Sequence, residues 1–465
     1  MPAQTLDQPK RIPLIVVPGN RDTSTSKDAR LVNGYIDYNS VTGEYFINKR
    51  PGMSQHSQPP GTAAAGQGVF LWRGDVYSVF GGHLYKGTTD KGAVDATGGV
   101  YRFSATLGAT PRLVLGNGVK AYTYEDGGGL ALITDADFPS TFVKGWAFLD
   151  GTTYVTRADA GIQGSAINNP TSWDPLNVII AQVEPDQAVA LAKQLVYAVV
   201  LKQESIEAFY DAGNATGSPL APVQGTKISY GCLSQDGVRD LDGDLYFPCT
   251  AKQAGPQVGL ISKMAFQVIS TPAVDRLLTN KDFTAVSSFV VKIEGHKFYV
   301  LTLSASNLTV VYDAATGMWG QWADTSGNYL PIVASASLAN GTQTVLQHAT
   351  NGKLYYADSQ YLNDDGVLFS TDIYTPNFDA GVDRRKTMNL MRFLADQVVG
   401  SHLDVRCSDD DYRTWSNFRR VDLSTRRPFL TNCGTFYRRA WHMRHRANTR
   451  FRIAAVDYQL DIGSL

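Results

Sequence analysis

A strand-and-turn unit that recurs across residues 69–358 constrains this chain more than any other feature. Short aromatic or β-branched runs repeat there, separated by turns of Gly, Asn or Asp. Val69-Phe70-Leu71-Trp72 is followed by Asp75-Val76-Tyr77-Ser78-Val79 and then by His83-Leu84-Tyr85-Lys86-Gly87. The same texture returns at residues 146–149 with 153–156, 195–201 with 205–210, 244–247, 297–303 with 309–313, and 353–356. Such runs suit strands, and their turn residues suit tight hairpins. The period of roughly 40 to 50 residues is that of a propeller blade. A stretch of about 290 residues then gives six or seven blades. The units end in Gly-x-Leu-Tyr or Thr-x-x-Tyr-Asp strands rather than in a Greek-key crossover, which favours a β-propeller over an array of sandwiches. Helical spacing is scarce. Ala188, Leu191, Ala192 and Leu195 have it, but residues 186–195 suit a strand equally.

The flanks of the repeat are also β-rich. Residues 12–17 read as a strand. Residues 35–38 and 44–47, joined by a turn at 39–43, read as a hairpin. Residues 57–68, with two prolines among small residues, mark one boundary of the repeats, and Asn363-Asp364-Asp365-Gly366 marks the other. The chain thus divides into residues 1–60, a propeller at 61–364 and a β-rich, Arg-rich part at 365–465. The whole reads as all-β.

The last part carries two local signals. Ser408-Asp409-Asp410-Asp411-Tyr412-Arg413-Thr414-Trp415 resembles the Asp-box turn, Ser-x-Asp-x-Gly-x-Thr-Trp, with Tyr412 in the glycine place. In such a turn the side chains of Ser408, Asp410 and Thr414 satisfy backbone groups and Trp415 covers the hairpin base. It is a folding device, not a catalytic one, and Tyr tolerates the left-handed backbone of the glycine position poorly. The second signal is charge. Residues 384–452 hold 16 cations, 15 of them Arg, against six Asp, a balance of +10 in a chain whose net charge is −1. The remainder is therefore at −11. Arginine in this excess suits bidentate recognition of carboxylate or phosphate. Three readings stand side by side: a solvated charged face, a protein–protein interface, or contact with DNA. Arg438, Arg439, Arg444 and Arg446 flank Trp441 in strand-like sequence. Alternation puts Arg439, Trp441 and Met443 on one face and Arg438, His442 and Arg444 on the other.

The sequence offers no catalytic, cofactor or metal residues. It contains no Gly-x4-Gly-Lys-Ser/Thr, His-Glu-x-x-His or Gly-x-Ser-x-Gly. Asp240-Leu241-Asp242-Gly243-Asp244 looks like a calcium loop, but its Gly stands at the wrong place and no Glu closes it, so a hairpin turn is expected. No acid and base carboxylate pair stands out, as glycan hydrolysis would need. The four cysteines lack Cys-x-x-Cys spacing and read as buried, reduced thiols of a protein made in a cytoplasm. Neither an export signal nor a membrane span is evident.

A family resemblance runs through residues 184–213, Tyr230-Gly231-Cys232, Asp242-Gly243-Asp244-Leu245-Tyr246-Phe247 and Ile269-Ser270-Thr271-Pro272-Ala273-Val274. It continues at residues 295–302, Tyr312-Asp313-Ala314-Ala315-Thr316-Gly317-Met318-Trp319, Trp415-Ser416 and Leu460-Asp461-Ile462. Together these resemble the packaged-DNA stabilisation proteins, or tail hub and nozzle proteins, of short-tailed bacteriophages. The resemblance implies a structural virion protein without turnover, with a propeller and a platform domain shared by both ends of the chain. Its partners would be itself, as a ring and usually a homohexamer, the portal-adaptor complex above, and tail needle, spike or fibre proteins. Double-stranded DNA would pass the lumen without specific binding, and nothing would insert into a membrane. Arg438, Arg439, Arg444 and Arg446 would then serve a subunit or adaptor interface. The rival reading is a glycan-binding or glycan-cleaving, sialidase-like propeller. That reading calls for several complete Asp-boxes and an Arg cluster on the propeller axis.

Overall fold

Two-residue hairpin turns set the architecture. At Arg73-Gly74, Asp150-Gly151, Asp242-Gly243 and Glu294-Gly295 both residues take positive φ, between 42° and 87°. That is the type I′ geometry, whose twist matches the right-handed twist of paired strands. The Asp242-Gly243 turn joins the paired strands Arg239–Leu241 and Asp244–Thr250, so the calcium-like stretch is a hairpin. The structure, a computed structural model, describes residues 10–12, 14, 29–41, 43–214, 216–338 and 343–463. It divides into two compact units.

The larger unit, residues 55–307 and 331–357, is a six-bladed β-propeller. Its first blade is Gly66–Trp72, Asp75–Phe80, His83–Lys86 and Thr89–Ala93. Blades starting at Arg102–Ala105, Ala147–Leu149, Ala188–Gln194 and Gly231–Cys232 follow in chain order, each an antiparallel meander. The last starts at Ile332–Ser337, and its fourth strand is Gly52–Ser57. A hairpin of Val286–Ile293 and His296–Leu303 stands between the fifth and last blades, with Val286–Ile293 beside both Arg239–Leu241 and Ile332–Ser337. Inter-blade cores form where apolar faces of neighbouring sheets meet. Tyr77, Val79 and Leu84 of the first blade pack with Leu113, Leu115 and Tyr124 of the second. Residues 186–195 settle as strand, Ala188–Gln194, because neighbouring blades bury both of its faces. The α-helix Pro272–Leu278 is capped by Thr271, whose hydroxyl accepts from the Val274 amide, and has Pro in its first turn.

The smaller unit gathers three stretches, residues 1–54, 308–330 and 358–465. The repeat reading counted residues 308–330 with the blades; the structure clusters them with the two chain ends. Two sheets enclose one core. The first runs Gly34–Asn39, Glu44–Lys49, Arg452–Ile462, Lys386–Ala395 and Phe429–Thr431, with Arg11–Ile12 and Thr435–Phe436 added beside it. Of the strand expected at residues 12–17, positions 13 and 15–17 lie outside the described residues. The second runs Leu308–Asp313, Met318–Gln321, Arg30–Val32, Thr371–Tyr374, Ala440–His445, His402–Ser408 and Arg419–Asp422. Ile36, Ile47, Met391, Phe393, Ile453 and Val456 meet Leu31, Ile373, Leu403, Val405, Trp441 and Met443 between them. Burying each such side chain stabilises by about 1.5–3 kcal/mol before entropy is counted.

A polar tie sits in this unit. Arg50 is buried, and its five N–H groups reach Asn33 Oδ1, Pro51 O, Ala323 O and both oxygens of Asp364. Phe369 covers the guanidinium at 3.8 Å. Neighbouring Lys49 donates to Leu362 O and Ala447 O. Burial, with Arg50 alongside, pulls its pKa down to about 8. One residue pair from the N-terminal stretch thus holds the other two stretches.

Candidate subunit interface

The Asp-box-like turn closes between His402–Ser408 and Trp415. Asp410 accepts from the Ser408 hydroxyl at 2.9 Å, the Thr414 amide at 2.9 Å and the Thr414 hydroxyl at 2.6 Å. Ser408 Oγ accepts from the Tyr412 amide at 3.0 Å. The Thr414 hydroxyl first, then its amide, hold the Asp410 carboxyl down at about 2. Trp415 lies edge-on to Tyr374, Tyr412 and His442. The structure thus brings Ser408, Asp410, Thr414 and Trp415 together in one turn, which is largely exposed. Asp411 and Tyr412 both adopt left-handed φ, 60° and 65°. Tyr is accommodated there because its hydroxyl donates to Thr375 O at 2.7 Å and its ring packs on Trp415.

The strand Ala440–His445 pairs on both sides, with Thr371–Tyr374 and with His402–Ser408. Trp441 and Met443 enter the core, and Arg439 is buried at their end. The opposite face is covered as well. His442 stacks on Tyr374 at 4.0 Å and lies near Trp415 and Phe418. Its Nδ1 accepts from Arg406 Nε at 2.9 Å, so its Nε2 carries the proton and donates to Asp372 Oδ1 at 2.6 Å. Arg444 Nε donates to the same oxygen at 2.7 Å, and Ser370 donates to the other. Burial pushes the Asp372 carboxyl up, but His442 and Arg444 outweigh it and hold it at about 2. Burial likewise pulls His442 below the usual histidine range, against the pull of Asp372. This network binds two sheet strands through neutral imidazole and ionised carboxylate.

The four arginines flanking Trp441 therefore differ. Arg439 chelates Asp409 through Nε and Nη2 at 2.6 and 2.7 Å, donates to Cys433 O and covers Phe436. Arg438 meets Asp411 at 2.5 Å, and Arg444 meets Asp372. Three of the four thus pair with carboxylates of their own chain, while Arg446 is exposed. Arg420 and Arg452 likewise chelate Asp404 and Asp396.

A different set faces outward. Arg384, Arg385, Arg392, Arg426 and Arg427 are exposed, and none makes an ion pair among the described residues. They follow one sheet edge. Arg392 lies opposite Phe429 in register, Arg426 and Arg427 stand three and two residues before Phe429, and Arg384 and Arg385 adjoin Lys386, which donates to Tyr437 O. Phe429 is 56% and Tyr437 59% exposed. Arg419 caps the edge strand, donating to Thr431 O and Asn432 O, which blunts open-ended strand addition. Cations beside exposed aromatics at a blunted edge make a surface suited to a specific protein partner. The charge count over residues 384–452 includes these residues, but the sequence singles out the four that flank Trp441 instead, although Arg426-Arg427-Pro428-Phe429 carries the signal.

Among the described residues no group of three His, Cys, Asp or Glu could hold a metal ion, and no helix is long and apolar enough to cross a membrane. A comparison with curated proteins finds no match. Several solved structures are distantly similar. A catalytically inactive virginiamycin B lyase from Staphylococcus aureus, with quinupristin, is 9% identical over 67% of this chain and 98% of its own, with a TM-score of 0.42. A streptogramin B lyase is 10% identical over 67% of this chain and 97% of its own, at 0.39. RRP9 WD40 repeats are 10% identical over 67% and 99%, at 0.40. A family model described as "Bacteriophage P22 Gp10, beta-propeller" matches residues 12–361. That match spans most of the chain and reaches from the first sheet of the smaller unit through every blade, so the chain belongs to this bacteriophage stabilisation family.

Proposed function

We propose that this chain is a structural subunit of a phage tail nozzle and performs no catalysis. Copies assemble as a ring below the portal-adaptor complex, close the channel after genome packaging and conduct double-stranded DNA on ejection. Family membership supports a virion role. The observation that carries the assembly reading is the strip of unpaired arginines beside Phe429 and Tyr437, which fits a carboxylate-bearing neighbour. Arg438, Arg439 and Arg444, engaged at home, contribute to this contact by shaping the sheet rather than by lending charge. The −11 balance outside residues 384–452 suits a passage that must not retain phosphates, because fixed cations there would hold DNA through counterion release. The single Asp-box-like turn lies outside the propeller, which does not favour the glycan reading.

The test is Arg426→Glu with Arg427→Glu. The monomer is expected to melt as wild type, since both side chains are exposed. Assembly, followed by native mass spectrometry, and genome retention in heads are expected to fail. Normal assembly and retention would overturn the assignment of this strip.

A further inference from the structure

The propeller axis is occupied by the chain itself. The short 3-10 turn Gln235–Gly237 of the fifth blade, with Arg239 just beyond it, reaches the second and third blades on one side and the inserted hairpin and last blade on the other. Gln235 O accepts from Arg102 Nη2 at 2.7 Å, on the inner strand of the second blade. Gln235 Oε1 accepts from the Lys144 amide at 3.1 Å, at the entry to the third. On the other side Asp236 O accepts from Ser288 Oγ at 2.7 Å, and Gly237 O from Tyr299 Oη at 2.7 Å, both on the inserted hairpin. Arg239, just beyond, reaches Val333 O on the inner strand of the last blade at 3.3 Å. Five residues, 235–239, can span the second, third and last blades only by crossing the centre, the place where propellers have a channel.

The Asp236 carboxylate sits between two cations there. Oδ2 accepts from Lys144 Nζ at 2.7 Å, and Oδ1 lies 3.8 Å from Arg102 Nη2. The Lys144 side chain is 5% exposed. Asp236 Oδ1 is buried and lacks a hydrogen-bond partner. A buried cation beside one that is 16% exposed is unfavourable unless an anion joins them, and Asp236, 18% exposed, supplies it. Burial pulls the pKa of both cations below its usual value.

We propose that Arg102 and Lys144 form a small-carboxylate site that Asp236 fills as a built-in ligand, locking the propeller as a closed block whose axis admits neither a substrate nor DNA. This inference does not depend on the nozzle reading, because its test uses the isolated full-length chain. Asp236→Ala is expected to lower the melting temperature by roughly 5 °C or more. Sodium formate is then expected to restore much of that loss relative to chloride at equal ionic strength, while wild type does not respond. Adding Lys144→Met to Asp236→Ala is expected to abolish the formate response. An Asp236→Ala chain that melts like wild type, or one that formate does not rescue selectively, would overturn the proposal. If the alanine variant does not fold, Asp236→Asn, which keeps the shape and removes the charge, is expected to melt well below wild type; equal melting would overturn the proposal.

Discussion

Replacing Arg50 by Met tests whether one residue pair holds the smaller unit together. The methionine roughly keeps the volume under Phe369 but removes all five donors. Asp364, whose side chain is 10% exposed, then keeps a buried charge without its partner, and Asn33 Oδ1 loses the Arg50 donor. Breaking a buried pair by removing one partner costs about 3–5 kcal/mol. For a unit of this size each kcal/mol shifts the melting temperature by roughly 2–4 °C, so a fall of about 6–20 °C is expected. Hydrogen exchange read strand by strand assigns the loss. Ala440–His445 and Arg452–Ile462 should open sooner, while blade strands such as Tyr197–Lys202 keep their protection. The double variant Arg50→Met with Asp364→Leu should regain most of the stability, since neither charge is then stranded. A loss below 1 kcal/mol in the single variant, or simple additivity in the double, would refute the argument.

Acid should destabilise the smaller unit in two steps. His445 is buried with Nδ1 unpartnered, and burial first, then the Lys49 and His402 charges, pull its pKa down to about 3. The unfolded chain takes that proton near 6.5 and the folded one only near 3, so this stability is complete above about pH 6.5 and falls as pH drops toward 3. His445→Gln should flatten that slope in urea unfolding followed against pH; an unchanged slope would show that another group carries it. Asp372, held at about 2, adds a second loss between about pH 4 and 2. Tyr412→Phe removes only the hydroxyl bonded to Thr375 O and should cost about 1 kcal/mol by denaturant titration; no measurable change would mean that water replaces the bond. Reversing Arg438 and Arg444 to Glu sets like charges against Asp411 and Asp372 of the same chain, so the monomer itself should melt early, unlike the Arg426 and Arg427 reversal.

The blades were legible because each strand pair is local and its turn is written in the sequence, as at Asp150-Gly151 and Asp242-Gly243. The helix at Pro272–Leu278 also had its start signal, Thr271 followed by Pro, but seven residues carry too little periodicity to be recognised. The smaller unit was harder to read because its ties are distant. Nothing near Arg50 points to Asp364, 314 positions away. The alternation of Arg439, Trp441 and Met443 located the core face, yet simple alternation left His442 outside. Tyr374, Trp415 and Phe418 cover that second face, and a period-two pattern cannot reveal a strand roofed on both sides. Charge counting found the arginines but could not separate those neutralised at home, such as Arg439, from those left outward, such as Arg427, because the partners Asp409 and Asp411 become visible only when the turn folds.

The most direct measurement is an electron cryo-microscopy reconstruction of the virion tail at side-chain resolution, traced for this chain. The account predicts several copies in a closed ring around the channel. It also predicts Arg426, Arg427 and Phe429 buried against carboxylates of a neighbouring subunit or of the adaptor. A tail that lacks the chain, or a ring in which that strip faces solvent in every copy, would contradict it.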